Sequence, residues 1–575
     1  MIRKLQVIFT RKQKIKFLIL FVILFVGSLL EFLGVSLVLP FVQLIMDPDG
    51  VDSGVLRLLG GLFHIESGRS LLFFTGLLLI GVYIIKNAYL LLMKTVELRF
   101  IFNNRLELSG RLMRSYMEKP YTFHLERNSS EILQNVTFEV NKLYDLILYG
   151  MELISDLLII LMISIFLFVK DPLITLVVVM LLGGCSLLYF KGIRRRTKCY
   201  GQQNQIYNSR MLQAVNQAMG GIKEIKLLAR EAYFVRAYEE NGRRYAFSLK
   251  RSQLLQYLPK YLIETICVCG VLGVVLMRLA MGVEVQKLVP QLSVFAVAAF
   301  RLLPSVNQVN RLLNNILFLA PCVGRIYEDI LRAGNRPAEN GLKKNQETLP
   351  PADWISFRDV SFGYPGSSEK VLSHVDVEIP VGSSVGFVGS SGAGKTTLVD
   401  LLLGLLCPDG GGIFYGDRDI RDYKESWGRK LGYIPQNIYL ADDTIRRNIA
   451  FGIPDSLIDE ERVWKAIREA QLEDFVKDLE AGLDARVGEA GLRLSGGQRQ
   501  RIGIARALYQ EPEILVLDEA TSALDTQTER AVMEAVEHLR GTCTLLMIAH
   551  RTSTLEGCDR IYQIKDHRIA AVSGI

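Results

Sequence analysis

Residues that bind metals or form disulfide frameworks are scarce in this sequence, which has 6 histidines and 8 cysteines in 575 residues. None of the cysteines shows metal-ligand spacing backed by histidine. Cys267 and Cys269 lie inside an apolar run, where packing is their expected role. We therefore expect reduced thiols and no structural metal. With 50% hydrophobic residues, the composition also excludes a disordered, collagen-like or disulfide-stapled protein.

A strong net charge is also absent, because 67 basic and 60 acidic residues leave a balance of only +7. The excess is concentrated in Met1–Lys16, which contains basic residues and no acidic one. Such a segment could be a nucleic-acid-binding arm, but the apolar run that follows at once favours anchoring at the inner face of a membrane. We therefore expect no nucleic-acid partner.

Hydrophobicity is unevenly distributed along a chain that is too long for one compact soluble domain. Residues 1–335 contain nearly all the long apolar runs, residues 336–353 form a polar linker with three prolines, and residues 354–575 are typical of a globular domain. About 20 apolar residues cross the hydrocarbon core of a bilayer. The first part therefore predicts an all-α transmembrane domain with six spans: Phe17–Val42, Leu71–Met93, Leu146–Val169, Pro172–Phe190, Tyr261–Gly282 and Leu288–Phe318.

The positive-inside rule predicts the orientation of these spans. The basic N-terminus lies inside and the more acidic loop Asp47–Ser70 outside, so that the long segments 94–145 and 191–257 fall inside. Each inner segment has a point that breaks a helix, at Pro120–Arg127 and at Gly220-Gly221. We interpret these points as turns that dock on the globular domain, and plain loops are the alternative.

Three cations in or directly beside the predicted spans are of interest because of their related depth, namely Lys86, Lys260 and Arg301. A lysine or arginine at the centre of a bilayer costs about 2.5–3.5 kcal/mol on insertion scales, so such residues usually face a cavity or a partner. Counted at about 1.5 Å per residue, all three fall in the inner half of the membrane. Snorkelling to the headgroups is the alternative, above all for Lys260. Their related depth on three helices favours one basic, anion-binding lining.

The spans also contain acidic residues, which are either counter-ions or polar groups that pack helices together: Glu31, Glu152, Asp156 and Glu264.

A phosphate-binding loop lies in the second half of the chain. Ser384–Val388 predicts a strand and Thr397–Leu406 a helix, which is the strand–loop–helix setting that the motif requires. Glycines let backbone N–H groups close around phosphate oxygens, helped by the helix N-terminus. We expect Lys395 to reach the β- and γ-phosphates and the Thr396 hydroxyl to bind Mg²⁺. The predicted contacts are Gly389, Ser390, Ser391, Gly392, Ala393, Gly394, Lys395, Thr396 and Thr397.

A second motif is the apolar run Ile514–Leu517, which ends in Asp518 and Glu519. Asp518 is suited to the shell of a Mg²⁺ ion, and Glu519 is suited to polarising an attacking water. Buried strands often end in acids, so this motif is weak by itself. Paired with the phosphate loop, it indicates hydrolysis of a nucleoside triphosphate.

The run Leu494-Ser495-Gly496-Gly497-Gln498 completes a set of motifs whose order is very specific. From Trp354 almost to the C-terminus, the chain resembles the cassette of ATP-binding cassette transporters. The resemblance implies that Tyr364 stacks on adenine and that Gln436 couples Mg²⁺ and water to the membrane half. His550 is similar to the switch histidine that contacts the γ-phosphate, and Ser522–Asp525 is similar to the loop that contacts the second cassette.

The resemblance therefore implies three sets of site residues. Catalytic roles fall to Glu519, His550 and Gln436, and Mg²⁺ would be held by Thr396, Gln436 and Asp518. The third set consists of the ATP contacts that are added to those of the phosphate loop: Tyr364, Ser495, Gly496, Gly497, Gln498 and Asp525.

The chain departs from the family pattern at one point: Ala490, before the signature run, stands where an arginine is usual.

One cassette with six spans implies half of a transporter that works as a homodimer. Its fold would be an all-α six-helix transmembrane domain of the exporter type fused to an α/β P-loop nucleotide-binding domain. In this family two cassettes close head to tail, so that the phosphate loop of one faces the signature run of the other, with ATP and Mg²⁺ in two equivalent sites. ATP binds the closed pair better, which shifts the membrane half between inward- and outward-facing forms. The resemblance also implies a multi-pass protein of the bacterial inner membrane with a cytoplasmic cassette.

A more local resemblance concerns the substrate. Glu31–Phe41, Phe300–Ser305 and the sequence around Glu131–Tyr144 are similar to bacterial flippases of lipid-linked oligosaccharides, and Val55–Ile65 is similar to their amphipathic external helix. Lys86, Lys260 and Arg301 stand where such a flippase has basic residues, which would suit a pyrophosphate-bearing lipid. An exporter of hydrophobic drugs or other lipids is the alternative. A cassette ATPase that transports nothing is a more distant one, against which the six spans argue.

Overall fold

The structure of the chain is a computed structural model in which contacts divide the residues into two units. The first unit combines residues 1–119 with 126–336, and the second combines residues 120–125 with 337–575. Of the external loop predicted at 47–70, residues 47–67, which include its helix at 55–65, lie outside the described residues, and 68–70 begin a long helix. The structure describes residues 2–37, 41, 68–170, 172–280, 285–335, 348–367, 369–488, 491–519, 526–549, 555 and 557–572.

The first unit is built from helices, which satisfy all backbone groups of a segment within lipid. Its long helices overlap the six predicted spans. Among the described residues, three segments are long and apolar enough to cross a membrane, Arg11–Gly34, Leu72–Met117 and Ser129–Val169, with mean hydropathies of 2.6, 1.9 and 2.5. The helices of this unit are α1 Ile2–Ile8, α2 Arg11–Ser36, α3 Gly68–Met117, α5 Ser129–Gln134, α6 Val140–Lys170, α7 Pro172–Gly220, α8 Ile222–Leu227, α9 Glu231–Ala280, α10 Val285–Leu319 and α11 Pro321–Asn335. The short helix α4 Tyr121–Glu126, between α3 and α5 in the chain, belongs to the second unit except for its last residue.

Three helices continue far beyond the predicted spans. α3, α7 and α9 have 50, 49 and 50 residues. At about 1.5 Å per residue each is roughly 75 Å long, compared with a hydrocarbon core of about 30 Å. The inner segments are thus continuations of membrane helices. They break after Met117 and at Gly220–Gly221, where the sequence predicts turns, and the short helices α4 and α8 follow.

The inner extensions are held together by buried polar contacts and by one close helix crossing. A π-helix, Asn135–Glu139, separates α5 from α6. The fully buried carboxylate of Glu139 accepts hydrogen bonds from Gln205 Nε2 of α7 at 2.6 Å and from Lys142 Nζ at 3.1 Å. Where α7 meets α10, a Cβ on Gly201 would overlap the carbonyl oxygen of Phe318. Glycine is therefore required for the close approach of these two helices.

Two sheets form the centre of the second unit. A six-stranded sheet has the order β10-β9-β3-β8-β7-β6, with parallel pairs from β9 to β6 and an antiparallel edge at β10. An antiparallel sheet has the order β2-β1-β4-β5. The strands are β1 Trp354–Phe362, β2 Leu372–Pro380, β3 Ser384–Gly389, β4 Gly410–Tyr415, β5 Arg418–Asp419, β6 Leu431–Ile434, β7 Ile514–Asp518, β8 Thr544–Ile548, β9 Arg560–Lys565 and β10 Arg568–Ala571.

The large sheet is covered on both faces, as is typical of parallel sheets. Along β7, Leu515 and Leu517 belong to one hydrophobic core and Ile514 and Val516 to another. This division follows from the geometry of a strand, whose successive side chains point to opposite faces. The helices of this unit are α12 Lys395–Leu402, α13 Lys424–Lys430, α14 Ile445–Ile449, α15 Glu460–Glu469, α16 Glu473–Lys477, α17 Gly496–Leu508 and α18 Thr526–Glu537.

The register of the large sheet brings two predicted motifs to the same edge. β8 pairs in parallel with both β3 and β7, and Ile548 lies opposite Phe387 on one side and Asp518 on the other. The carboxyl ends of β3 and β7, on either side of β8, therefore lie at the same edge of the sheet. The loop after β3 and the acids at the end of β7 lie there together.

Candidate functional site

The phosphate loop follows β3 and precedes α12, in the predicted order. Gly392 and Gly394 have φ angles of +81° and +101°, which glycine adopts without steric cost. Gly389 is needed because a Cβ there would lie 2.7 Å from the carbonyl oxygen of Ile564. The helix ends at Leu402 instead of the predicted Leu406, since Gly404, with a φ of +68°, ends it in the left-handed conformation.

Lys395 lies buried at the base of this loop. Its Nζ donates hydrogen bonds to the carbonyl oxygens of Gly389 at 2.8 Å and Ser390 at 3.1 Å. Burial lowers the pKa of Lys395, whereas the nearby carboxylates of Glu519 and Asp518 act in the opposite direction. The predicted phosphate-binding ammonium and the predicted acid pair are thus parts of one site.

The two acids at the end of β7 have different surroundings. Asp518 is buried, and its Oδ2 accepts a hydrogen bond from the Tyr433 hydroxyl at 3.4 Å. Burial raises the pKa of Asp518, and the charge of Glu519 adds to this effect. Glu519 has a φ of +49°, and its Oε2 accepts a hydrogen bond from Gln436 Nε2 at 2.6 Å. Two residues with predicted catalytic roles, 83 positions apart in the chain, are therefore in contact.

Two residues close to Asp518, Tyr433 and Asp400, were not predicted as site residues from the sequence. Tyr433 reaches Asp518 from β6, and the buried Asp400 of α12 lies close enough to feel its charge. Burial, followed by the charge of Asp518, raises the pKa of Asp400 to about 6. Tyr121, which belongs to the second unit, is close enough to feel the charge of Asp400 in turn. The available signal was a single acid within the apolar run of α12.

Replacing Asp400 by asparagine is expected to stabilise the protein near pH 8 and to have little effect near pH 4. The pKa of about 6 in the folded protein exceeds the value of about 3.9 for an unfolded aspartate. The free energy of unfolding of the wild type therefore falls as the pH rises from about 4 to about 6. We expect Asp400→Asn to gain about 1–2 kcal/mol above that range, from a shift of this size discounted for solvent.

The measurement is thermal unfolding of the full chain without Mg²⁺ across this pH range. Asp417→Asn is the matched control, because the Asp417 side chain is 89% exposed and should leave the pH dependence as in the wild type. A loss of stability in Asp400→Asn near pH 8 would mean that the ionised carboxylate is needed by the fold.

The signature run forms the N-terminal turn of α17. Ser495 Oγ accepts a hydrogen bond from the Gln498 backbone N–H at 3.2 Å, and Gln498 Oε1 accepts one from the Ser495 N–H at 2.8 Å. This reciprocal capping box fixes the start of the helix, with Gly496 and Gly497 in its first turn. Both of these hydrogen bonds join residues of the turn itself. The pairing of this turn with the phosphate loop of a second chain stays a prediction.

Other predicted contacts stay predictions as well. The Tyr364 hydroxyl lies 3.1 Å from Thr397 Oγ1, and the ring packs edge-on against Phe362 with centroids 5.2 Å apart. The aromatic residue predicted to stack on adenine therefore lies beside the helix that follows the phosphate loop. Three sequence-predicted residues fall outside the described residues: Ala490, Asp525 and His550.

Lys86 is buried between two helices of the first unit. Its side chain is 5% exposed, and its Nζ lies 4.5 Å from the centroid of the Tyr83 ring. A Cβ on Gly34 of α2 would lie 3.2 Å from Lys86 Cδ. This contact buries Lys86 against α2, and its depth in the membrane stays a prediction.

The other two membrane cations differ from Lys86. Lys260 is exposed in the chain, and its Nζ lies 5.8 Å from the centroid of the Tyr261 ring. The side chain of Arg301 lies outside the described residues. A common lining formed by Lys86, Lys260 and Arg301 stays a prediction.

The residues of the nucleotide site fit ATP and Mg²⁺. The left-handed glycines form a loop in which a Cβ would be strained, and Lys395 supplies a buried positive charge beside it. Mg²⁺ takes oxygen ligands, and Thr396, Asp518 and Gln436 offer a hydroxyl, a carboxylate and an amide oxygen. A phosphate loop at the carboxyl edge of a parallel sheet, with an acid pair at the same edge at the end of β7, which β8 separates from β3, defines a P-loop nucleoside triphosphatase. Here it shares a chain with long, apolar membrane helices.

Comparison with known proteins agrees with this class. The family model of the ABC transporter matches residues 372–522, and that of the ABC transporter transmembrane region matches residues 17–277. The ATP-dependent lipid A-core flippase of Cupriavidus pinatubonensis is 30% identical over 89% of this chain and 84% of its own. That of Cupriavidus metallidurans is 31% identical over 86% of this chain and 82% of its own.

A solved structure gives the same answer for the fold. A bacterial Atm1-family ABC exporter with ATP bound superimposes with a TM-score of 0.73, covering 97% of this chain and 94% of that chain at 22% identity. The predicted fold, helical exporter domain plus α/β P-loop domain, is therefore confirmed.

The chain belongs to the family of ATP-binding cassette transporters. It binds ATP and hydrolyses it to drive transport across a membrane. It is a multi-pass protein of the bacterial inner membrane with its cassette on the cytoplasmic side, as predicted from the sequence.

Proposed function

We propose that the chain works as a homodimeric flippase, which uses ATP to move an anionic, sugar-bearing lipid across the membrane. The proposed substrate is a lipid-linked oligosaccharide or a related polyprenyl-pyrophosphate glycolipid. The observation that carries the proposal is likeness to lipid flippases over most of the chain, combined with basic residues in three membrane helices. A cation in hydrocarbon needs a counter-charge, a cavity or the headgroup region. The pyrophosphate of such a lipid would supply the counter-charge.

The proposed hydrolytic step uses the contact between Gln436 and Glu519. Glu519 is the general base that takes a proton from the attacking water, and Gln436, 2.6 Å from it, keeps its carboxylate oriented. Lys395 neutralises phosphate charge, and Thr396, Gln436 and Asp518 would hold Mg²⁺, which supplies further charge neutralisation. In a pair of chains, the Ser495 turn of one would lie over the phosphate loop of the other. Closing the pair with ATP shifts the membrane half between its two forms.

Neutralising Lys260 and Arg301 tests the substrate. Lys86 packs against Gly34, so its replacement would mix effects on folding with effects on binding, and the first variant leaves it in place. Lys260→Gln with Arg301→Gln should slow flipping of a polyprenyl-pyrophosphate-linked sugar in proteoliposomes about tenfold or more, because a hydrogen bond to a charged group contributes about 1.5–3 kcal/mol. Basal ATP hydrolysis should be unchanged, since the cassette is untouched.

The matched control is Arg236→Gln with Lys250→Gln. It removes two exposed cations from the inner part of α9, the helix that also contains Lys260. This control should flip the lipid at the wild-type rate. Gel filtration and expression level establish first that each variant is folded. A folded Lys260→Gln, Arg301→Gln protein with wild-type flipping would rule out the basic lining and leave snorkelling as the account of these residues.

A second candidate substrate is the lipid A-core itself, which the names of the relatives favour. It is also an anionic glycolipid, so the same cations would suit it. Parallel proteoliposomes with either lipid separate the two candidates by which one is flipped. Transport of an apolar drug and of neither glycolipid would support the exporter alternative.

A further inference from the structure

A cluster of charged residues joins α3 to α6 in the first unit, apart from the cations considered above. Lys94 Nζ lies 2.6 Å from Glu152 Oε1 and 2.9 Å from Glu97 Oε2. Lys94 and Glu97 are one turn apart on α3, whereas Glu152 is on α6. These three residues, named the Lys94 triad below, place one ammonium between two carboxylates.

Glu97 is the buried member of the triad. Its side chain is 1% exposed, and its Oε1 is buried without a hydrogen-bond partner. On either side of it along α3, Met93 lies against Gly27 of α2 and the Phe100 ring lies 6.4 Å from that of Phe17. Glu97 is therefore level with a stretch of α2 that has no charged residue. Among the described residues, the packing offers this carboxylate no hydrogen-bond donor besides the shared Lys94.

The surrounding helices do not balance the charge of the triad. Its two carboxylates and one ammonium leave an excess of one negative charge when all three are ionised. Asp156, on α6, is close enough to feel the charges of Glu152 and Lys94. Four carboxyl groups thus share two cations among the described residues of this region. Asp156 in turn is close enough to feel the charges of Glu31 of α2 and Arg311 of α10.

We propose that the Lys94 triad is a proton-binding site, in which the buried Glu97 carboxyl group carries one proton while Lys94 stays paired with Glu152. Burying an ionised oxygen without a donor is costly, and two carboxylates around one ammonium repel each other. A proton on Glu97 makes the triad neutral and removes the negative charge from its buried, unpaired oxygen. Loss of the proton leaves two carboxylates, one on α3 and one on α6, that repel each other around one ammonium, so proton binding is linked to the close contact of α3 with α6.

Glu97→Gln tests this proposal because glutamine has the shape and neutrality of the protonated side chain. The melting temperature of the full-length protein is measured in lipid nanodiscs between about pH 6 and about pH 8. If the folded protein holds the proton more tightly than the unfolded chain, wild-type stability rises as the pH falls. Glu97→Gln should lose that part of the slope and be at least as stable as the wild type at the alkaline end. Subtracting the pH curve of Glu97→Gln from that of the wild type removes the contribution of distant titrating groups, because distant sites contribute additively to stability.

Glu107→Gln is the matched control, since Glu107 is an exposed carboxylate on the same helix that accepts a hydrogen bond from Gln13 Nε2 at 3.2 Å. It should keep the wild-type slope. Infrared spectroscopy supplies an independent readout, as the carbonyl band of a protonated carboxyl group should be present in the wild type and missing from Glu97→Gln. Absence of this difference, or an equal loss of stability in Glu97→Gln at every pH, overturns the proposal and makes Glu97 an ionised partner of Lys94.

Glu152→Gln keeps the test decisive if Glu97→Gln does not fold. It leaves a one-to-one pair of Lys94 and Glu97 and removes the repelling carboxylate. The pH dependence attributed to Glu97 should then shift to lower pH. An unshifted curve contradicts the shared-charge origin of the proton site.

Discussion

Glu519→Gln is expected to bind ATP normally and to hydrolyse it about 10²–10⁴ times more slowly than the wild type, which is the range of a lost general base. The structure sharpens this expectation. A glutamine at this position can still accept the hydrogen bond that Gln436 Nε2 makes at 2.6 Å, so the site keeps its shape and loses only the basic group. The purified variant should accumulate with ATP bound and its cassettes closed, as measured by retained nucleotide and by cross-linking.

Glu513→Gln is a suitable control for this experiment. Glu513 directly precedes β7, and its half-exposed carboxylate forms an ion pair with Lys430 at 2.5 Å, so its replacement removes a carboxylate near the same strand and leaves the nucleotide site alone. ATP hydrolysis should therefore stay at the wild-type rate. ATP turnover near the wild-type rate in Glu519→Gln itself would contradict the assignment of Glu519 as the general base.

The second large effect is expected from Lys395→Ala combined with Ser495→Arg in a covalently linked pair of chains. If the phosphate loop of one chain faces the signature turn of the other, both substitutions on one chain spoil both ATP sites. One substitution on each chain can instead leave one site intact. The arrangement with the intact site should therefore retain ATP binding and part of the hydrolysis, whereas the other should lose both.

The comparison is internally controlled, because both linked proteins carry the same two substitutions. Ser495 caps α17, and loss of such a cap costs about 0.5–2 kcal/mol. That cost is equal in the two arrangements and cancels. Equal ATP binding by both linked proteins would contradict the shared site and the head-to-tail homodimer.

The nucleotide site was largely predictable from sequence, since its chemistry demands particular residue types at short spacing. Glycines at 392 and 394 have the positive φ angles that a phosphate loop requires, and Asp518 and Glu519 do end a buried strand. Tyr433 and Asp400 were not found, because neither belongs to a short motif. Tyr433 reaches Asp518 because β6 pairs with β7, where Tyr433 lies opposite Val516. Asp400 lies near Asp518 because α12 packs against β7.

The transmembrane half divides in the same way. Apolar runs of sufficient length determined where helices form, because in lipid a helix satisfies its own backbone groups. The runs did not determine where a charged side chain on a helix would lie. Only the packing of α2 against α3 decided that Lys86 is buried beside Gly34, and only the approach of α3 to α6 joined Lys94 to Glu152.

The sequence by itself therefore determined the class of protein, the order of its motifs and the existence of its membrane helices, all of which depend on composition and short-range spacing. The tertiary structure decided which distant groups meet: Gln436 with Glu519 at 2.6 Å, and Glu97 with Lys94 at 2.9 Å in a site with a buried, unpaired oxygen. The physical reason is that burial and charge pairing are properties of the space between elements. Helix crossings and strand order determine which side chains lie close together, and a short stretch of sequence determines neither of them.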